Sequence, residues 1–186
     1  MDVLADAERE KLLRLARRSL EARVRGQTAP EVEHGGVFDD LFGAFVTIHR
    51  HGELRGCLGR IEGDAPLGEV VRHLAQAVGD SDPRFQPVAP NELSELAIEI
   101  SVLTPEHEVS NVSEIEVGRH GLIVERGHRR GLLLPQVAVE HGWTRDAFLE
   151  HVCLKAGLPR TAWREGARLF VFEAEVFAEA SGSGRT

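Results

Sequence analysis

The sequence has no tyrosine, one methionine, two cysteines and only 5% aromatic residues. With so few rings, a stacking platform for single-stranded nucleic acid has little to build on. The two cysteines, Cys57 and Cys153, make no CxxC pair and no disulfide framework, which fits a reducing, cytoplasmic setting. Long apolar runs are also missing, so no segment reads as a bilayer span. Asp2 and Asp6 sit in an amphipathic N-terminal pattern that does not read as a signal peptide. Lys and Arg number 22 against 30 Asp and Glu, a net charge of −8. A broad non-specific nucleic-acid footprint needs clustered cations and is not expected, although a local basic pocket is compatible with this balance. Nor is there a GxGxxG, a GxxxxGK[ST], a GxSxG, an HExxH or a CxxxCxxC run. Dinucleotide, P-loop, serine-hydrolase and zincin signatures are therefore absent, and the chain is not itself a radical SAM enzyme. No cluster has metal-ligand spacing, so no metal site is expected.

What remains is a chain of 186 residues, 42% hydrophobic and 28% charged, ordinary for a globular domain large enough to bury a core. Leu4, Leu12, Leu15, Leu20 and Val24 recur at helical spacing and predict a helix from about Val3 to Val24, ended by Gly26. Residues 27–40 read as a loop. Two strands, Gly43 to Arg50 and Glu53 to Ile61, flank His51-Gly52, a hairpin signal. Pro66 opens a helix with Leu67, Val70, Val71, Leu74 and Val78 on one face. The segment 79–90 carries three prolines and is irregular. From Glu95 to Leu103, Leu96, Ile98, Ile100 and Val102 alternate with Ala97, Glu99, Ser101 and Leu103, so Glu99 and Ser101 share one strand face. A second hairpin follows around Gly127, then a short helix from Pro135, a helix capped by Thr144, and a last strand from Arg168 to Phe177. Ser181 to Thr186 reads as a flexible tail. Hairpins interspersed with helices predict an α+β fold with a mixed, mainly antiparallel sheet.

The stretch that points to chemistry is Glu53-Leu54-Arg55-Gly56-Cys57-Leu58-Gly59-Arg60. Alternation puts Arg55 and Cys57 on one strand face, and a nearby cation favours the thiolate, the reactive form of cysteine. Gly56 and Gly59 leave the backbone open to close approach by a ligand or another chain segment. Two readings of Cys57 stand side by side: a nucleophile, metal ligand or redox-sensitive thiol, or a small residue buried where the sheet is crowded. Cys153 lies on an apolar helix face and reads as core. Arg55 and Arg84 could bind an anion through their guanidinium forks, or serve internal ion pairs. Glu99 could act as a general base and His120 as an acid–base group, against the plainer readings of a solvated strand face and a loop end.

These residues also carry a resemblance. Leu54-Arg55-Gly56-Cys57-Leu58-Gly59 and Asp82-Pro83-Arg84-Phe85 resemble the motifs of the AMMECR-one domain family, known in prokaryotes as AmmeMemoRadiSam system protein A. Ile98-Glu99-Ile100-Ser101-Val102-Leu103, His120-Gly121-Leu122, Leu134-Pro135-Gln136-Val137 and Leu154-Lys155-Ala156-Gly157-Leu158-Pro159 extend the similarity from about Leu12 to Phe177. The family commonly has Ile where this chain has Leu58. The resemblance implies one domain over 1–180 with two lobes around a cleft lined by the cysteine motif. It implies association with a Memo-type protein and a radical SAM protein, and it supplies no established activity. The expected site combines Cys57, Glu99 and His120 as reacting groups with Arg55, Gly56, Gly59, Arg84 and Ser101 as substrate contacts. The ligand would be a small molecule or RNA-derived. The competing expectation is a non-catalytic adaptor whose cysteine motif is structural.

Overall fold

The computed structural model describes residues 4–179. Val3 and the tail from Ser181 to Thr186 lie outside the described residues. Two compact units emerge. One comprises the chain up to Leu103 together with the segment from Glu175 onward, and the other runs from Thr104 to Ala174. Every strand pairing given for either unit is antiparallel, which establishes the α+β class with an antiparallel sheet.

The first unit opens with α1 (Asp6–Val24), whose buried stripe is Leu12, Leu15, Ala16, Ser19, Leu20 and Ala22. It starts three residues inside the expected range because Ala5 takes the extended N-cap conformation, with Asp6 and Glu8 in the first turn, where the helix dipole favours acids. Strands β1 (Gly43–Arg50) and β2 (Glu53–Arg60) form the expected hairpin. Both turn residues adopt positive φ, 53° at His51 and 83° at Gly52. That is the pattern of a type I′ turn, whose twist matches the strands. Helix α2 (Leu67–Ala77) buries Leu67, Val70, Val71 and Leu74, and β3 (Leu96–Leu103) pairs with β1 along its length. The core of this unit gathers Leu12, Ala16 and Leu20 of α1 with Val70, Val71 and Leu74 of α2. Beneath them lie Ala44, Val46 and Ile48 of β1 and Ile98, Ile100 and Val102 of β3. The order is β2-β1-β3, so β2 is an edge strand.

The second unit contains the short β4 (His107–Glu108), β5 (His120–Arg126), β6 (Arg129–Leu133), α3 (Pro135–Glu140), α4 (Arg145–Lys155) and the first part of β7 (Arg168–Ala178). Here β7 lies between β4 and β5, and β6 pairs with β5. Thr144 caps α4 by accepting from the Ala147 N–H at 3.3 Å. Phe148, Leu149, Val152 and Cys153 of α4 pack with Leu122, Val124 and Val171 in a separate core. Gly121 is required there: a Cβ would stand 2.1 Å from the Phe172 ring. The two-residue β4 has no counterpart in the sequence reading, because two residues carry no readable period.

Candidate functional site

The β1–β2 hairpin holds a one-residue irregularity that decides which way Cys57 faces. Counted from the turn, Arg50 pairs with Glu53 and His49 with Leu54. Uninterrupted pairing would continue to set Cys57 against Val46, whose side chain is fully buried in the core. The register instead shifts between Ile48 and His49, so Ile48 pairs with Gly56 and Thr47 with Cys57. A slip of one residue exchanges the two faces of a strand. Gly56 thus takes the core face and Cys57 the other face, along with Phe45, Thr47, Glu99 and Ser101.

Cys57 is partly exposed and Cys153 is buried. The Thr47 hydroxyl donates to the Cys57 sulfur at 3.3 Å. Burial pushes the Cys153 thiol up, so the two sulfurs sit in opposite surroundings.

The Cys57 peptide points outward from the edge of β2, and residues of the 79–90 segment satisfy it. Its N–H donates to Asp82 Oδ2 at 2.9 Å, and its carbonyl accepts from Arg84 Nη2 at 3.3 Å. Asp82 also accepts from the Arg84 backbone N–H (3.1 Å), from Nε (3.0 Å) and from Nη2 (2.8 Å). Asp82 and Arg84 therefore act at this point as a further strand would, closing the exposed edge. Asp82 is 4% exposed. The Arg84 guanidinium, with the Cys57 and Arg84 N–H groups, outweighs burial and holds its carboxyl far below the usual range.

Arg55 is engaged elsewhere. Its Nε and Nη2 grip the two carboxylate oxygens of Glu92 at 3.0 and 3.1 Å, and its other donors reach the carbonyls of Gln86 and Pro87. Arg55 is the chief cause that holds the Glu92 carboxyl below its ordinary value. The expectation that Arg55 is the cation beside the thiol is corrected here: Arg84 is the guanidinium bonded to the Cys57 peptide, and Arg55 pins the proline-rich segment to β2. Gly56 and Gly59 do allow close approach, but by the chain itself. A Cβ on Gly56 would meet Val78 at 3.0 Å and Ile48 at 3.2 Å, and one on Gly59 would stand 2.0 Å from the Phe45 ring. A groove of about 430 Å³ beside the motif is lined by Gly59, Arg60, Glu69, Arg72 and His73, and Cys57 does not line it.

Glu99 pairs with Thr47 across β1–β3, and Ser101 pairs with Phe45. Strand pairing therefore sets Cys57, Thr47 and Glu99 in one row, with Gly59, Phe45 and Ser101 in the next. His120 belongs to the second unit, where its Nδ1 accepts from the Glu116 N–H at 3.1 Å and its own N–H returns to the Glu116 carbonyl at 2.9 Å. This leaves the proton on Nε2. Burial, with Arg119 nearby, pushes the His120 pKa down and keeps the ring neutral. Thr47, Glu92 and Asp82 are the residues that the expected site did not include, although Asp82 stood in a quoted motif. Thr47 carries no motif, and its place beside Cys57 depends on the bulge. Glu92 sits among ordinary acidic residues in a turn. Among the described residues, no group of three or more His, Cys, Asp or Glu is placed to hold a metal ion, and no helix is long and apolar enough to cross a membrane.

Residues 13–177 match the family model AMMECR1. Protein MK0488 of Methanopyrus kandleri is 44% identical over 95% of this chain and 91% of its own length. Protein MJ0810 of Methanocaldococcus jannaschii is 40% identical over 92% and 90%. The crystal structure of the uncharacterized protein PH0010 from Pyrococcus horikoshii superposes with a TM-score of 0.78 at 39% identity, covering 94% of this chain and 92% of that one. None of these names states an activity. With a family match across most of its length and relatives this similar, the chain belongs to the AMMECR1 family.

Proposed function

We propose that Cys57 is the working group of a substrate site on the face of β1, β2 and β3 that carries Thr47, Glu99 and Ser101. In this reading the chain is an enzyme or substrate-binding component of a cytoplasmic pathway that modifies RNA or a small molecule, alongside the Memo-type and radical SAM proteins that the resemblance implies. One observation carries it: a partly exposed thiol accepts a hydrogen bond from Thr47 while both polar groups of its own peptide are clamped by Asp82 and Arg84. A reacting sulfur needs access and a fixed position, and this arrangement supplies both. Glu99 is the carboxylate available to such a site.

The adaptor reading keeps one observation of its own. Arg55, Gly56, Gly59 and Arg84 each have an internal packing or hydrogen-bonding duty. If the thiol is idle, the whole motif is a brace for an edge strand and the function is docking.

The two readings part on brief alkylation of the native protein with iodoacetamide, read by peptide mapping. Cys57 labels well ahead of Cys153 if its thiol is poised. Equal or reversed labelling refutes the thiol reading. Capture of metabolites or RNA on wild-type and Cys57→Ser protein, identified by mass spectrometry, then reports the ligand directly.

A further inference from the structure

Most of the charges around Cys57 cancel, and apart from Glu53 at the hairpin turn one carboxylate does not. Arg50 and Arg55 face Glu92 and Glu95, and Arg84 faces Asp82. Each guanidinium that could have received an anion is thus half of an internal pair. Glu99 differs. Among the described residues nothing donates to its carboxylate or pairs with it, and its side chain is only partly buried. It stands one strand from Thr47 and two strands from Cys57, a separation of about 10 Å between backbones.

A second group on the same face points the same way. Ser101 is only 6% exposed, yet its hydroxyl has no hydrogen-bond partner among the described residues. Among the described residues no fully sealed side-chain nitrogen or oxygen is left unpaired, so this oxygen keeps some contact with solvent. Hydroxyls so far buried usually find a protein partner. Glu99 and Ser101 are two apart on β3, which spaces them about 7 Å along one face. They offer an uncompensated negative charge and a hydroxyl to whatever sits beside the sulfur.

We infer that the Cys57 site takes a cationic or N–H-bearing ligand, an amine, amidine or amide held by Glu99 with Ser101 as the second contact, and selects against anions. This rests on the reading of Cys57 as the working group and reverses the anion role expected of Arg55 and Arg84. Phosphate- or carboxylate-led recognition would meet guanidiniums already neutralised and a carboxylate that repels it.

Charged methanethiosulfonates test this. The thiolate attacks the reagent sulfur, methanesulfinate leaves with the electron pair, and a mixed disulfide forms. The step is the same for a trimethylammonium-ethyl and a sulfonato-ethyl tail, so the ratio of their rates reads the charge of the site. The ratio at Cys57 is expected to favour the cation over the value for the same cysteine in denaturant. Glu99→Gln should lower it about two- to sixfold, the range that ionic screening sets for a unit charge roughly 8–10 Å from the reacting atom in a largely aqueous surround. Melting curves check the fold, and Glu99→Ala is the second variant should Gln perturb it. A ratio that favours the anion, or one that both Glu99 variants leave unchanged, overturns the inference. Iodoacetamide separates the two failures. If Cys57 labels ahead of Cys153 but the charge ratio is flat, only the ligand class falls. If no reagent reaches Cys57 in the folded protein, the thiol reading and the ligand class fall together.

Discussion

Asp82→Ala is the sharpest perturbation of this site, because one carboxylate organises it. The substitution removes the acceptor of the Cys57 N–H, of the Arg84 N–H and of two guanidinium donors. A donor left unsatisfied in a buried place costs about 1–3 kcal/mol, and breaking a buried ion pair from one side costs about 3–5 kcal/mol. The Arg84 side chain is 56% exposed and can rehydrate, and the edge of β2 can admit water, so the lower end applies. About 3 kcal/mol is the expected loss. For a chain of this size that is a fall in Tm of roughly 6–12 °C. Asp82→Asn keeps one acceptor oxygen without the charge and should lose about half as much. Chemical denaturation gives the stability, and iodoacetamide labelling of Cys57 on the same samples gives the local effect, which should be a less protected, less uniformly positioned thiol. The pH dependence adds an independent check. Because Arg84 holds the folded carboxyl far below its unfolded value near 3.8, this stabilisation is complete above that value and is lost as the pH falls towards the folded one. The wild-type stability should therefore decline on the acid side more steeply than that of Asp82→Asn. An Asp82→Ala protein with a Tm within about 2 °C of wild type and unchanged Cys57 labelling would refute the clamp.

Other expectations follow from single contacts. Gly59→Ala should cost about 1–3 kcal/mol, because the new methyl overlaps the Phe45 ring. The double variant with Phe45→Ala should recover part of this loss in a stability cycle, and strict additivity would count against the contact. Cys153→Ser puts a hydroxyl into a fully buried position among apolar side chains, where the Trp163 backbone N–H reaches the present sulfur, and should cost about 1–3 kcal/mol because its own O–H loses water. Cys57→Ser, beside Thr47 on a partly exposed face, should change Tm by less than about 2 °C; the reverse order in the two melting curves would contradict the assigned environments. His120 is held neutral by burial, so the unfolded chain takes up its proton first as the pH falls. Stability from this group is complete above about 6.5 and declines below it. Denaturation at pH 5 and 7.5 should therefore differ less in His120→Gln than in wild type.

Much of the fold was legible because it rests on local physics. The alternation from Leu96 to Leu103 set β3 and its two faces, since side chains on a strand have a period of two and one face must be buried. His51-Gly52 marked a hairpin because a type I′ turn demands positive φ, and Thr144, Gly26 and Gly157 marked helix ends by capping and left-handed geometry. The candidate site was legible only as a neighbourhood. Glu99 and Ser101 were assigned to one face by periodicity alone, and Cys57 stood out by its glycines. What periodicity could not supply was the bulge that turns Cys57 from Val46 towards Thr47, because a one-residue shift leaves the composition of a strand unchanged. Nor could spacing reveal that Arg55 closes on Glu92, 37 positions away, or that Asp82 receives the Cys57 N–H across 25. A strand edge shows its unpaired groups only once its neighbours are in place. Tertiary packing therefore decided which charges around Cys57 were already cancelled, those of Arg55 and Arg84 among them, and which, like Glu99, were left without a partner among the described residues.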